Sequence, residues 1–223
     1  MSKNFSSKRK KNNNQKKKKN YLVAGIDEVG RGTLTGPVVA CALVSLSPGG
    51  KIIFDLKIKN PILKIKNPKQ LTHTKREKIF HILKNEPLVE WGIGRVSEKV
   101  IDKINIFEST KLAMERAVIN LEKKIRKNVD FLIIDGNFGI NLPISQKSIV
   151  KGDEKITLIK LASVVAKLKR DKMMLNYHKK YPQYRFDKHK GYGTKLHIKM
   201  LKKYGPCKIH RKTFRPVNIY CKV

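Results

Sequence analysis

The sequence predicts an α/β domain: a mixed central β-sheet flanked by α-helices, with a helical C-terminal part. Three observations carry that expectation. Apolar runs at 21–29, 38–44 and 129–134 have strand length and are bounded by turn residues. Longer stretches at 105–127 and 155–180 repeat apolar residues at helical spacing. The two kinds of segment alternate, the order that lays helices on a sheet.

Taken in order, residues 1–20 hold nine Lys or Arg and no acid, so they read as a disordered basic tail. Two roles fit it, a nonspecific nucleic-acid arm and a solubilising extension. Tyr21, Leu22, Val23 and Ile26 supply the first strand. Val38 to Val44 is apolar throughout and marks a central strand. Pro48-Gly49-Gly50 is a turn, and Lys51 to Phe54 is expected to return as a third, hairpin-paired strand. Residues 55–70, rich in Lys, Asn and Pro, read as an exposed basic loop. Thr72 is placed to cap a helix over 73–85 with Ile79, Ile82 and Leu83 as its stripe. Val89 to Val96 reads as a strand. Ser97 then caps a helical turn with Glu98, ahead of a long helix over 105–127. Val129 to Ile134 is a buried strand ending in Asp135-Gly136-Asn137, and Ser148 to Val150 a short one leading into Lys151-Gly152-Asp153-Glu154. A helix over 155–180 stops at Tyr181-Pro182, and another near 194–204 precedes a basic end with Arg211, Lys212 and Arg215. The predicted order is β β β α β α β β α.

The 223 residues suffice for one domain with a sizeable core. Lys and Arg number 51 against 17 Asp and Glu, a formal charge of +34. Such a chain repels itself unless counter-charge is near, and polyphosphate is the evident counter-charge. A Lys- and Asn-biased genome accounts for part of the lysine excess but not for the scarcity of acids. Cys41, Cys207 and Cys221 show neither metal-ligand spacing nor a disulfide framework and suit a reducing compartment. No apolar run has the length of a membrane span and no secretory signal is seen, so a cytoplasmic protein is expected.

The few acids are therefore informative. Asp27 and Glu28 are adjacent in a strand and point to opposite faces, so at least one meets the packed side and needs a partner or a metal. Asp135 and Asp153 also lie beside strands and glycines. Two readings fit. Each acid is a turn or capping residue paired to a lysine, or the strand ends converge and place four carboxylates together. Convergence would raise their pKa values and call for Mg²⁺ or Mn²⁺, as in two-metal phosphodiester cleavage. Gly30, Arg31, Gly32 and Gly36 form a loop suited to close approach of an anion. It is not a dinucleotide fingerprint, because Pro37 and a strand follow where a helix should open.

Gly25-Ile26-Asp27-Glu28-Val29-Gly30-Arg31-Gly32 with Gly36-Pro37-Val38-Val39 resembles the opening signature of the type 2 ribonucleases H, the ribonuclease HII family. The resemblance continues in order through Ile104-Asn105-Ile106, Ile134-Asp135-Gly136-Asn137, Val150-Lys151-Gly152-Asp153, Ala162 to Lys167, Arg170-Asp171, Pro182-Gln183-Tyr184 and His189-Lys190-Gly191-Tyr192. It spans 21–217 and leaves 218–223 as a tail. It implies a ribonuclease H-like fold and an endoribonuclease that hydrolyses the RNA of RNA–DNA hybrids. It also implies cutting 5′ to ribonucleotides embedded in duplex DNA, leaving 3′-hydroxyl and 5′-phosphate. It further implies that Asp27, Glu28, Asp135 and Asp153 bind two divalent ions, Mg²⁺ or Mn²⁺. Gly30-Arg31-Gly32 would then read the 2′-hydroxyl, and Tyr192 would pack on the sugar at the RNA–DNA junction.

The chain departs from the family at Asn67-Pro68-Lys69-Gln70-Leu71-Thr72, where Asp-Ser-Lys-Lys-Leu-Ser is usual. Lys69 keeps a charge able to reach phosphate. Lys160-Leu161 replaces the usual small residues, so the helix there must pack differently. Asp171, next to Arg170, is expected in a structural ion pair rather than as a metal ligand, and Lys167 is left between a structural and a phosphate-contacting role. His178, His189 and His210 are expected to be structural or phosphate-contacting, and Tyr181, Tyr184 and Phe186 to be core. A monomer is expected, and no clamp-binding motif is found at the C-terminus. The rival reading is a non-catalytic basic RNA-binding protein, which needs no carboxylate cluster.

Overall fold

A computed structural model describes residues 21–221; the basic stretch 1–20 lies outside the described residues. The sheet has five strands in the order β3-β2-β1-β4-β5. Strands β1 (Val23–Val29), β2 (Val38–Ser45) and β3 (Val89–Val96) form an antiparallel meander. Strands β4 (Phe131–Asp135) and β5 (Ser145–Ile149) join the other side of β1 in parallel. This is the mixed sheet flanked by helices that the sequence predicts.

Every residue of β2 is buried, because helices cover both faces of the sheet. On one face Ala40, Ala42 and Val44 meet α3 (Glu98–Ile125) through Ala113, Met114, Ala117, Val118 and Leu121. Gly92 and Gly94 of β3 let α3 lie directly on the strand, since a Cβ at either would strike the carbonyl oxygens of Ala117 or Ala113. On the other face Cys41 and Leu43 meet α5 (Thr157–Lys180) and α2 (His73–Lys84). Thr72 caps α2, its hydroxyl accepting from the Lys75 N–H at 3.3 Å. The stretch α6 (Phe186–His189) and α7 (Lys195–Tyr204) completes the helical C-terminal part.

Several elements differ from expectation. Lys51 to Phe54 is not a strand: residues Lys51–Lys59 form helix α1. β2 is already hydrogen-bonded on both sides, by β1 and β3, so no edge remains for a hairpin. Ile53 and Leu56 instead bury at helical spacing. The stretch after α1 is not a plain exposed loop. It makes 3-10 turns at Pro61–Leu63 and Pro68–Gln70 and buries Leu63, Ile65 and Pro68. The last strand starts at Ser145, and Val150 is outside it and exposed. β5 is an edge strand with only partial burial, so its sequence carries little apolar pattern. The helix expected over 155–180 is α5, starting at Thr157. A short helix, α4 (Gly152–Lys155), precedes it where Lys151-Gly152-Asp153-Glu154 is expected only to follow a strand, and the two are separated where Ile156 is extended. The two helical pieces expected after Ser97 meet in α3 at Asn105, whose φ of 63° breaks the helix. The Asn105 side-chain oxygen recaps it by accepting from the N–H groups of Phe107 and Glu108. No described helix is long and apolar enough to cross a membrane.

Candidate active site

The register of the sheet assembles the acids. β1 and β4 run parallel with Ile26 beside Ile134, both packed on the α3 side. The next residue of each strand, Asp27 and Asp135, therefore faces α5 side by side. Asp135 is held from the β5–α4 connection: its Oδ1 accepts the Gly152 N–H at 2.6 Å and the Asp153 N–H at 3.4 Å. A side chain at Gly152 would meet Ile159 Cδ1 at 2.7 Å, so glycine permits that approach. The turn also delivers Asp153, fully buried, to the same place. Carboxylate oxygens of Asp27, Asp135 and Asp153 lie within 4.8 Å of one another.

Glu28 stands beside this trio rather than within it. It pairs with Arg31 Nη1 at 3.5 Å, while its N–H donates to Asp27 Oδ1 at 2.8 Å. Burial pushes the Asp27 carboxyl well up, and the charges of Glu28 and Asp135 push it further. Burial also raises Glu28, against the opposing pull of Arg31. Asp135 is raised by burial and then by Asp153. Oδ1 of buried Asp153 accepts no hydrogen bond. Lys69 Nζ lies 2.8 Å from Asp153 Oδ2, so the lysine expected at substrate phosphate is engaged with an acid. Two buried carboxylates and a half-buried third that repel one another, one with an unpartnered oxygen, fit a divalent cation such as Mg²⁺ or Mn²⁺.

A cleft of about 440 Å³ opens over Asp27 and Glu28, walled by Gly30, Arg31, Gly32, Lys69, Arg76 and Tyr192. The glycine loop is tied to the Tyr192 segment. Thr33 bridges Tyr192, and the Leu34 N–H donates to the Gly191 carbonyl at 2.9 Å. Tyr192 is 40 % exposed on the cleft wall.

Two buried arginines hold that loop. Arg211 donates from Nη2 to Gly30 O at 2.7 Å, from Nη1 to Arg31 O at 2.8 Å, and from Nε and Nη2 to Gly36 O at 3.0 and 2.9 Å. Arg170 donates to Pro37 O, Lys190 O, Thr35 O and the Thr33 hydroxyl. Gly30, at φ 95°, leaves room for the Arg170 side chain. The loop's carbonyls thus face these guanidiniums, while Arg31 and Gly32 are exposed on its outer side. The sequence reading missed both roles. Asp171 sits in the ion pair expected of it, with Lys167 as its partner at 2.8 Å. Lys167 is also 5.4 Å from the Tyr192 ring centre.

The histidines lie away from the carboxylates. His189 and His197 stack at 4.3 Å, and His197 Nε2 is 3.2 Å from His210 Nε2. Burial pushes His197 down to about 4 and His210 down to about 3. They pack with Tyr184 and Phe186 as core. Outside this group, His178 lies 3.4 Å from Asp187.

Residues 24–217 match the family model described as Ribonuclease HII. The chain is 48 % identical over 199 residues to "Ribonuclease HII" of Endomicrobium trichonymphae, covering 89 % of this chain and 87 % of that one. It is also 48 % identical over 199 residues to the protein of that name from Chlamydia caviae, covering 88 % and 85 %. Among solved structures it resembles the ribonuclease H2 of Pyrococcus horikoshii OT3, with TM-score 0.66, 24 % identity and coverage of 89 % and 96 %. It also resembles Bst-RNase HIII in complex with Mn²⁺, with TM-score 0.65, 15 % identity and coverage of 89 % and 68 %. These two likenesses show a shared fold. The chain belongs to the ribonuclease HII family, metal-dependent endonucleases that act on RNA–DNA hybrids.

Proposed function

We propose that this member of the ribonuclease HII family cuts on the 5′ side of single ribonucleotides embedded in duplex DNA, as well as within the RNA of longer hybrids. The products are a 3′-hydroxyl and a 5′-phosphate. The observation that carries the reading is the adjacency of the carboxylate trio to the cleft wall formed by Gly30, Arg31, Gly32 and Tyr192. Asp27, Asp135 and Asp153, with Glu28 at the rim, would hold two divalent ions, Mg²⁺ or Mn²⁺. Such ions supply an activated water and neutralise charge on the leaving oxygen.

The remaining work falls to the chain itself. Gly30-Arg31-Gly32 offers backbone donors to the 2′-hydroxyl, the one group that separates RNA from DNA. The exposed part of Tyr192 packs against the sugar beside it. Lys69 and Arg76 border the cleft and favour the scissile backbone electrostatically. The surrounding lysine surface holds the duplex by its phosphates, which makes binding strongly salt-dependent. The protein acts as a monomer in this reading.

Asp27→Asn is the direct test. It should abolish cleavage of a duplex carrying one ribonucleotide while binding of that duplex persists. Full activity of the variant would remove Asp27 from catalysis. Chelator should silence the wild type, and Mg²⁺ or Mn²⁺ should restore it.

A further inference from the structure

Lys69 occupies an unusual position for a surface lysine. Its side chain is 69 % exposed, yet its ammonium reaches 2.8 Å from Oδ2 of Asp153, a side chain with no exposure. The turn that carries it is fastened at both ends. Asn67 Oδ1 accepts the Lys69 N–H at 2.8 Å, while Asn67 Nδ2 donates to Glu154 Oε1 at 3.0 Å. Arg76 Nη2 reaches the carbonyls of Pro68 and Lys69, each at 3.4 Å. The turn is thus clamped to the short helix that bears Asp153. The clamp depends on the side-chain amide at 67. An aspartate there would have no N–H to give Glu154 and would set two carboxylates together.

We propose that Lys69 is an internal counter-ion that stands in the cation site at Asp153 and is displaced from it when a divalent ion binds. The proposal rests on the reading of the carboxylates as metal ligands. A carboxylate buried beside two others is costly to keep charged unless a cation lies against it, and the Lys69 ammonium, 2.8 Å from Asp153 Oδ2, supplies one when no metal is present. Lysine suits an exchangeable occupant. It is a single charge on a flexible stem, with no planar fork to lock it in place. Its exposed side of the pair keeps the attraction weak enough to reverse. Once released, the ammonium stays tethered at the cleft wall, where it can take a backbone phosphate. Metal loading then also prepares the site for the nucleic acid.

Titration with Mn²⁺ alone, followed by calorimetry without nucleic acid, tests this on the full chain. Lys69→Met should bind Mn²⁺ about fivefold more tightly than wild type, the scale of a half-screened ion pair. Its thermal midpoint should fall in the metal-free protein and match wild type at saturating Mn²⁺. Equal or weaker Mn²⁺ affinity in Lys69→Met would overturn the proposal. So would an equal drop of the midpoint with and without metal, which marks a merely structural contact. Asp153→Asn separates the two levels of the argument. If wild type and Asp153→Asn take up Mn²⁺ alike, the ligand assignment itself fails, and the proposal with it.

Discussion

Replacing Arg211 by methionine removes one guanidinium and should disarm a loop that shares no chain segment with it. Arg211 is fully buried and makes four hydrogen bonds to the carbonyls of Gly30, Arg31 and Gly36. Gly30 O keeps a donor in the Thr33 hydroxyl. The Arg31 and Gly36 carbonyls lose theirs. An unsatisfied buried acceptor costs about 1–3 kcal/mol, which applies in full to Gly36 O, while the part-buried Arg31 O can turn to water, so the two together cost roughly 1–4 kcal/mol. Removing a buried charge offsets part of this. Burial and neighbouring Arg170 already push the Arg211 guanidinium down to about 9, so holding it charged has a cost in the native protein. A net loss on the order of 1–3 kcal/mol is expected, a sizeable share of a typical domain's ~5–15 kcal/mol. Urea unfolding measures that loss. Below the transition, kcat/KM on a duplex with one ribonucleotide should fall more than kcat/KM on a long hybrid, because the loop proposed to read the 2′-hydroxyl is no longer set. Arg211→Lys keeps the charge but not the fork and should fall between. If Arg211→Met unfolds within about 0.5 kcal/mol of wild type, a surface-substitution effect, and keeps both activities, the carbonyl-fork argument is wrong.

Two further outcomes follow from the same coordinates. Tyr192→Ala should weaken cleavage at a single embedded ribonucleotide more than cleavage of a continuous hybrid, compared as kcat/KM; equal losses would argue against junction sensing by Tyr192. The buried histidines give a pH signature. His197 and His210 are depressed to about 4 and about 3, so they stay neutral in the native state while an unfolded chain protonates them near 6.5. The unfolded state then binds more protons at low pH, and stability falls as pH drops below about 6.5, levelling only near the depressed values. Each group contributes up to about 1.4 kcal/mol per pH unit in that window. Melting at pH 7.5 and pH 5.5 should differ accordingly, and a flat profile would contradict neutral burial.

How much of this was legible in the sequence depends on the length of chain over which each signal operates. β2 declared itself because both of its faces are buried and Val38 to Val44 is apolar throughout. α1 did not, since Ile52-Ile53-Phe54 favours either strand or helix and only the occupied edges of β2 decide. β5 is a half-exposed edge strand whose Ser145, Gln146 and Lys147 give no apolar alternation. In the site, Asp27 and Asp135 stood out as rare acids ending apolar runs, and parallel register brings them together as the convergent reading expected. The Lys69–Asp153 contact crosses a gap no local pattern spans. Arg170 and Arg211 were hidden differently. Among 51 cations, two that are buried carry no mark of it in composition.

Arg211 is separated by 175 residues from Gly36 and by 181 from Gly30. A ribosome adding about 5–20 residues per second needs roughly 10–35 s to get from one to the other. Throughout that interval a highly basic nascent chain already carries Asp27 and the glycine loop, but not the guanidinium that shapes the loop. Synthesis order therefore acts as a timer. The loop that lines the cleft takes its final hydrogen bonds only once nearly the whole domain has been made.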